Sequence, residues 1–120
     1  MVWKKLVIIP SLGASGKQIV GSIDLCKMRS LVVTCRVTYN TSATAPLRIN
    51  SYCQIHESDW DTVALDFFDI NLTAGQTVQK TDFLAVPEEG QVQIEVVNTD
   101  TVYPATNIEI WVAYERWKEQ

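Results

Sequence analysis

A chain of 120 residues, 47% apolar and 20% charged, has the size of one compact domain and is too apolar to remain disordered. Its net charge of −4, with lysines and arginines scattered, argues against nucleic acid as a partner, because a duplex-binding surface needs clustered cations. No stretch reaches the length of a membrane-spanning helix, and a chain this long can bury a core without disulfides or metals.

In chain order, the first apolar run is Leu6-Val7-Ile8-Ile9, preceded by Lys4 and Lys5 and interrupted by Pro10. A secretory h-region needs about seven apolar residues or more. The run therefore reads as a first strand over 2–9, at a sheet edge, and gives no convincing signal peptide. Pro10 to Gly16 reads as a Ser/Gly-rich loop. Within it, Gly13-Ala14-Ser15-Gly16-Lys17 invites comparison with a phosphate-binding loop, but its glycines are too close together and Gln18 stands where Ser or Thr would hold magnesium. A surface turn before a second strand, 18–26, is the better reading.

Met28 to Val32 could hold one helical turn at most, and no window shows a helical period over three turns. The third strand, 30–40, sends Leu31, Val33, Cys35, Val37 and Tyr39 to one face and Thr34, Arg36 and Thr38 to the other. After the small polar loop from Asn40 to Pro46, a fourth strand, 46–57, sets Leu47, Ile49, Ser51, Cys53 and Ile55 against Arg48, Asn50, Tyr52, Gln54 and His56. A fifth, 61–72, changes phase from Val63-Leu65-Phe67 to Phe68-Ile70-Leu72, which predicts a bulge or a crossing between sheets. Ala74-Gly75 and Pro87-Glu88-Glu89-Gly90 are turn sequences around a sixth strand, 76–84. A seventh, 90–98, alternates Val92, Ile94 and Val96 with Gln91, Gln93 and Glu95. After a loop over Thr99 to Thr106, the last, 106–117, alternates Ile108, Ile110, Val112 and Tyr114 with Glu109, Trp111, Ala113, Glu115 and Trp117. About eight half-apolar strands predict one all-β domain spanning 1–120, a two-sheet antiparallel β-sandwich, with the jelly roll as a topology that this pattern allows.

Reactive constellations are sparse. His56 is the single histidine, and on a strand its offset of three from Cys53 puts the two on opposite faces, which spoils them as a ligand pair. Glu57, Asp59, Asp61, Asp66 and Asp69 lack the glycine that helps a calcium loop turn tightly. Cys26, Cys35 and Cys53 are odd in number and read as free, buried thiols, with one bridge such as Cys35 to Cys53 left open. The sequons Asn40-Thr41-Ser42 and Asn71-Leu72-Thr73 mean little without secretion. No nucleophile elbow or carboxylate pair stands out, so neither catalytic residues nor a cofactor nor a metal is assigned.

Aromatic residues on polar faces are the remaining signal. Trp111 and Trp117 share the face of the final strand that carries Glu109 and Glu115. Tyr52 shares a face with Arg48. Large rings in such settings mark contact surfaces, which makes Trp111, Trp117, Tyr52 and Arg48 the interface candidates; a second small core under a loop is the alternative for Trp111. Trp3 and Trp60 fit core or rim equally.

The stretch from Ser22 to Trp117 resembles small β-sandwich structural proteins encoded by tailed bacteriophages, prophages and related viruses. The resemblance rests on Leu31-Val32-Val33-Thr34, Ser42-Ala43-Thr44, Asp59-Trp60-Asp61-Thr62, Phe67-Phe68, the run from Ala74 to Thr81, and Val96-Val97-Asn98-Thr99-Asp100. It implies a non-catalytic virion or tail component, such as a capsid decoration, tail or adaptor protein, that contacts copies of itself and other structural proteins. It implies residence in the virion if the protein is viral; otherwise the residue pattern leaves a cytoplasmic protein. The alternative expectation is a carbohydrate-binding β-sandwich module that uses its surface tryptophans. A small jelly-roll metalloenzyme would need clustered histidines, which one histidine cannot supply.

Overall fold

A computed structural model describes residues 2–24, 28–54, 59–85 and 90–116. These form eight strands: β1 (Val2–Leu12), β2 (Lys17–Asp24), β3 (Met28–Tyr39), β4 (Leu47–Gln54), β5 (Asp66–Ile70), β6 (Thr77–Leu84), β7 (Gln91–Asn98) and β8 (Ala105–Arg116). They build two antiparallel sheets of four, ordered β1-β8-β3-β6 and β2-β7-β4-β5. The chain crosses between sheets at every connection except β4 to β5, and these interleaved orders are those of a jelly roll. The described residues include no helix, and Met28 to Val32, a candidate helical turn, lies within β3.

Alternation in the strands places the core between the sheets. Leu31, Val33, Cys35, Val37 and Tyr39 of β3 and Ile108, Ile110 and Val112 of β8 are buried from one side. Leu47 and Ile49 of β4, Phe68 and Ile70 of β5, and Val92, Ile94 and Val96 of β7 meet them from the other. Central strands paired on both sides bury one whole row each, whereas the edge strand β6 alternates between exposed and half-buried positions.

Two sequence expectations shift at element boundaries. Pro10 lies within β1 instead of beginning the loop, which an edge strand tolerates because the missing N–H leaves no inner ladder bond unmade. The phase change leaves β5 itself regular, with no register shift from Leu47↔Ile70 to Ser51↔Asp66; the irregularity falls just before it, where Asp61 and Leu65 N–H groups donate to the Cys53 and Ser51 carbonyls and five residues face three. Phe67 simply faces outward and Phe68 inward. Bulges fall between Lys5 and Val7 in β1 and between Ile19 and Gly21 in β2. The β3–β8 pair has two further register shifts, between Met28 and Ser30 and between Arg36 and Thr38, the latter opposite Asn107 of β8, which has a φ of 51°.

Buried polar groups lock one end of the sandwich, where β1–β2, β3–β4, β5–β6 and β7–β8 are joined. The Tyr39 hydroxyl donates to the carbonyl of Ile70 and accepts from the N–H of Leu47 at 3.0 Å, tying β3 to both β4 and β5. Burial pushes its phenol up to about 12. Asn98 Nδ2 donates to the carbonyls of Leu12, Gly13 and Tyr103 at 3.2, 3.2 and 2.9 Å. Asp100, also buried, accepts from the N–H groups of Thr44, Val102 and Tyr103 at 2.8, 2.8 and 2.9 Å. These bonds to the ionised carboxylate hold Asp100 down at about 2. The turn once compared with a phosphate loop joins the same network: Ser15 N–H donates to the Asp100 carbonyl, and the Gly16 carbonyl accepts from Asn98 N–H, each at 2.8 Å.

Tyr39→Phe removes a donor and an acceptor from a buried site, and it should lower unfolding stability by about 1–3 kcal/mol in denaturant titrations. Because the folded-state pKa of Asp100 lies below its ordinary 3.8, the carboxylate's stabilising effect is full above that value and fades as pH falls towards about 2. The stability gap between wild type and Asp100→Asn should therefore narrow between pH 4 and about 2 when denaturation midpoints are compared across that window.

Candidate interaction surface

With the inward rows consumed by the core, the remaining side chains form two outer faces. The interface candidates divide between them. Trp111 lies on the outer face of the β1-β8-β3-β6 sheet, opposite Thr34 in register. Tyr52 and Arg48 lie on the outer face of the β2-β7-β4-β5 sheet. Trp117 lies outside the described residues, as do Cys26, Ile55, His56 and Glu57. The four candidates are therefore not brought together as one patch by the described strands.

On the Tyr52 face, Arg48 pairs with Asp69 through Nε to Oδ1 at 2.7 Å and Nη2 to Oδ2 at 3.1 Å. Its guanidinium lies 4.5 Å from the centroid of the Phe67 ring. Tyr52 donates to Glu95 Oε1 at 3.1 Å, and Asn50 Nδ2 reaches the same oxygen at 3.4 Å. Burial, then the Glu95 charge, raises the Tyr52 phenol.

Beside these residues lies a feature that sequence reasoning treated only as a phase change. Val63, Leu65 and Phe67 are 78%, 47% and 53% exposed, alternating with the more buried Ala64, Asp66 and Phe68. Leu65 N–H donates to the Ser51 carbonyl at 2.7 Å and Asp61 N–H to the Cys53 carbonyl at 2.9 Å, so the segment before β5 stays along β4 as an irregular edge, with Val63 in the bend between these two contacts. Exposed apolar side chains at a sheet edge, with Arg48 over one of them, are the arrangement expected of a contact surface. The signal was present in the sequence: two apolar phases in one strand require one of them to face away from the core. The other large exposed apolar residues, Ile8, Ile19, Leu72, Phe83 and Val102, each lie on a different strand or loop.

The sheet edges carry features that discourage strand addition. β1 and β2 are bulged, and β5 has five residues. The inward positions of β6 include Lys80 and Asp82, and Lys80 Nζ donates to the Asp69 carbonyl at 3.1 Å.

Among the described residues no cluster of three His, Cys, Asp or Glu could hold a metal ion. Cys35 in β3 and Cys53 in β4 belong to opposite sheets and not to neighbouring strands, and both are free thiols. Burial pushes the Cys35 thiol up to about 12 and raises that of Cys53 as well.

No family model matches this chain, and no curated protein matches it either. Solved structures with a similar chain course include a Bacillus endospore appendage, from a family described as disulfide-linked pili. It has a TM-score of 0.49 at 16% identity and covers 98% of this chain and 88% of the other. Two more come from infectious bursal disease virus. The T13 particle has a TM-score of 0.46 at 13% identity, over 92% of this chain and 30% of the viral one. The Gt strain has 0.45 at 15% identity, over 98% and 38%. This chain thus spans well under half of either viral chain, and at such scores the likeness lends nothing to a functional assignment.

The buried thiols carry a direct expectation. Cys35 and Cys53 should resist alkylation in the native protein at pH 8 and react fully once it is unfolded, as peptide mass spectrometry can read residue by residue.

Proposed function

We propose that this chain is a non-catalytic structural protein of viral or prophage origin, a capsid decoration, tail or adaptor component, that works through repeated contacts with copies of itself and with other structural proteins. The observation that carries the reading is the exposed apolar group Val63, Leu65 and Phe67 at the β5 edge, with the Arg48 guanidinium over the Phe67 ring. Large apolar side chains exposed together at a sheet edge add nothing to this chain's own core, and their exposure to water is unfavourable unless a partner covers them. The whole of 1–120 acts as one domain in this reading.

The bulged and charge-bearing edges favour contact through a face over strand exchange. Arg48 is suited to such a surface: its guanidinium is held in place by Asp69 and lies over Phe67, so little side-chain freedom remains to be lost on association. The viral assignment rests on the resemblance over Ser22 to Trp117, and a protein of that kind resides in the virion.

Sedimentation at rising protein concentration tests the reading. The wild-type protein should form oligomers, and Leu65→Ser with Phe67→Ser should shift the distribution towards monomer while leaving the far-ultraviolet circular dichroism unchanged. A wild-type protein that remains strictly monomeric at high concentration, and fails to bind any purified structural protein encoded beside it, would overturn the assignment.

A further inference from the structure

The opposite outer face carries a second feature. Two adjacent rungs cross three strands there: Trp111–Thr34–Thr81 and Glu109–Arg36–Gln79. Together they border a shallow depression of about 270 Å³ lined by Thr34, Arg36, Gln79 and Trp111. At the usual strand spacing, three strands span about 10 Å.

The side chains contact one another across the strands. Arg36 Nε donates to Gln79 Oε1 at 3.0 Å, Nη1 reaches Glu109 Oε2 at 3.4 Å, and the guanidinium lies 5.6 Å from the Trp111 centroid. The hydroxyls of Thr34 and Thr81 share a hydrogen bond at 2.7 Å. With its oxygen engaged by Arg36, the Gln79 amide offers its nitrogen as a donor, and the guanidinium and hydroxyls add donors and acceptors around one indole.

This chemistry discriminates among ligands. An anion gains little, because Glu109 already offsets the Arg36 charge. A wholly apolar ligand would strip water from the guanidinium, amide and hydroxyl groups without replacing its hydrogen bonds. A ring with an apolar C–H face and a periphery of hydroxyls satisfies both requirements: the face packs on the indole, and each hydroxyl both donates and accepts.

We propose that this depression binds a neutral saccharide, with a sugar ring against Trp111 and its hydroxyls on Arg36, Gln79 and Thr34. The site is independent of the apolar group at Phe67, which lies on the other sheet, so a structural subunit could bear it as a glycan-attachment face.

Amide-resolved NMR titration of the full chain with cellohexaose, chitohexaose, maltohexaose and laminarihexaose at millimolar concentrations tests the proposal. At least one sugar should shift the resonances of Thr34, Arg36, Gln79 and the Trp111 indole. Gln79→Ala, an exposed substitution that spares the core, and Trp111→Ala should each weaken that binding at least about tenfold, with sedimentation unchanged. The proposal is overturned if no sugar moves these resonances, if only sialyllactose or dextran sulfate does, if the shifts gather around Phe67 instead, or if Gln79→Ala binds as well as the wild type.

Discussion

The packing of two inward-facing rows against each other is the constraint from which the rest of the structure follows. Val33, Cys35 and Val37 on β3 and Ile108 and Ile110 on β8 share one core with Ile49 on β4 and Ile94 and Val96 on β7, and all eight are fully buried. Because successive residues of a strand point to opposite sides, burying one row turns the other to the outer face, where Val32, Thr34 and Ala113 are buried too and most of the remaining side chains are open to water. A slip of one residue would exchange the two and drive Arg36, Arg48 and Glu95 into the core at a prohibitive desolvation cost. Register, sheet membership and the composition of both outer faces are therefore set together.

The closed end of the sandwich solves a related problem. Joining two sheets requires the chain to turn over the rim of the core, where backbone polar groups lose water. Asn98, Asp100 and Tyr39 supply the missing partners, each bridging segments distant in sequence. Among the described residues no buried side-chain nitrogen or oxygen is left without a partner. This is why Asp100, a carboxylate held well below its ordinary range, reads as a structural group: its carboxylate is bonded by Thr44, Val102 and Tyr103, loop residues of its own chain. A perturbed pKa marks a functional site only when something besides the fold explains it.

With the core and the rim so occupied, chemistry is left to the outer faces, and they differ. One carries exposed apolar side chains flanked by an arginine–aromatic contact, suited to excluding water against another protein. The other carries hydroxyl, amide and guanidinium groups around one indole, with Ile8 and Phe83 exposed at its two edges, suited to a smaller ligand with both polar and apolar surface. An assembly protein that both packs against its neighbours and presents a recognition face has use for this division.

Much of this organisation is legible in the residue string. Apolar runs, turn sequences and period-two alternation together identify the eight strands, and the alternation sorts Leu31 through Tyr39, Leu47 through Cys53, and Ile108 through Val112 into core and surface, because burial acts on each strand locally. Strand ends are less legible: Pro10 and Leu12 belong to β1 through pairing with β8, a partner nearly a hundred residues away. The double phase of Val63-Leu65-Phe67 and Phe68-Ile70 is visible in sequence, but its meaning is not, since an irregular edge and a regular outward row produce the same letters. Neither the separation of Cys35 from Cys53 nor the placement of Trp111 and Tyr52 on opposite faces could be read locally, because each depends on which sheet a strand joins. The sequence by itself determined the fold class and the side of each strand that is buried, which are properties of neighbours along the chain. Only the tertiary structure decided which surface residues share a patch, because that depends on strand order, and strand order is a property of the assembled sheets.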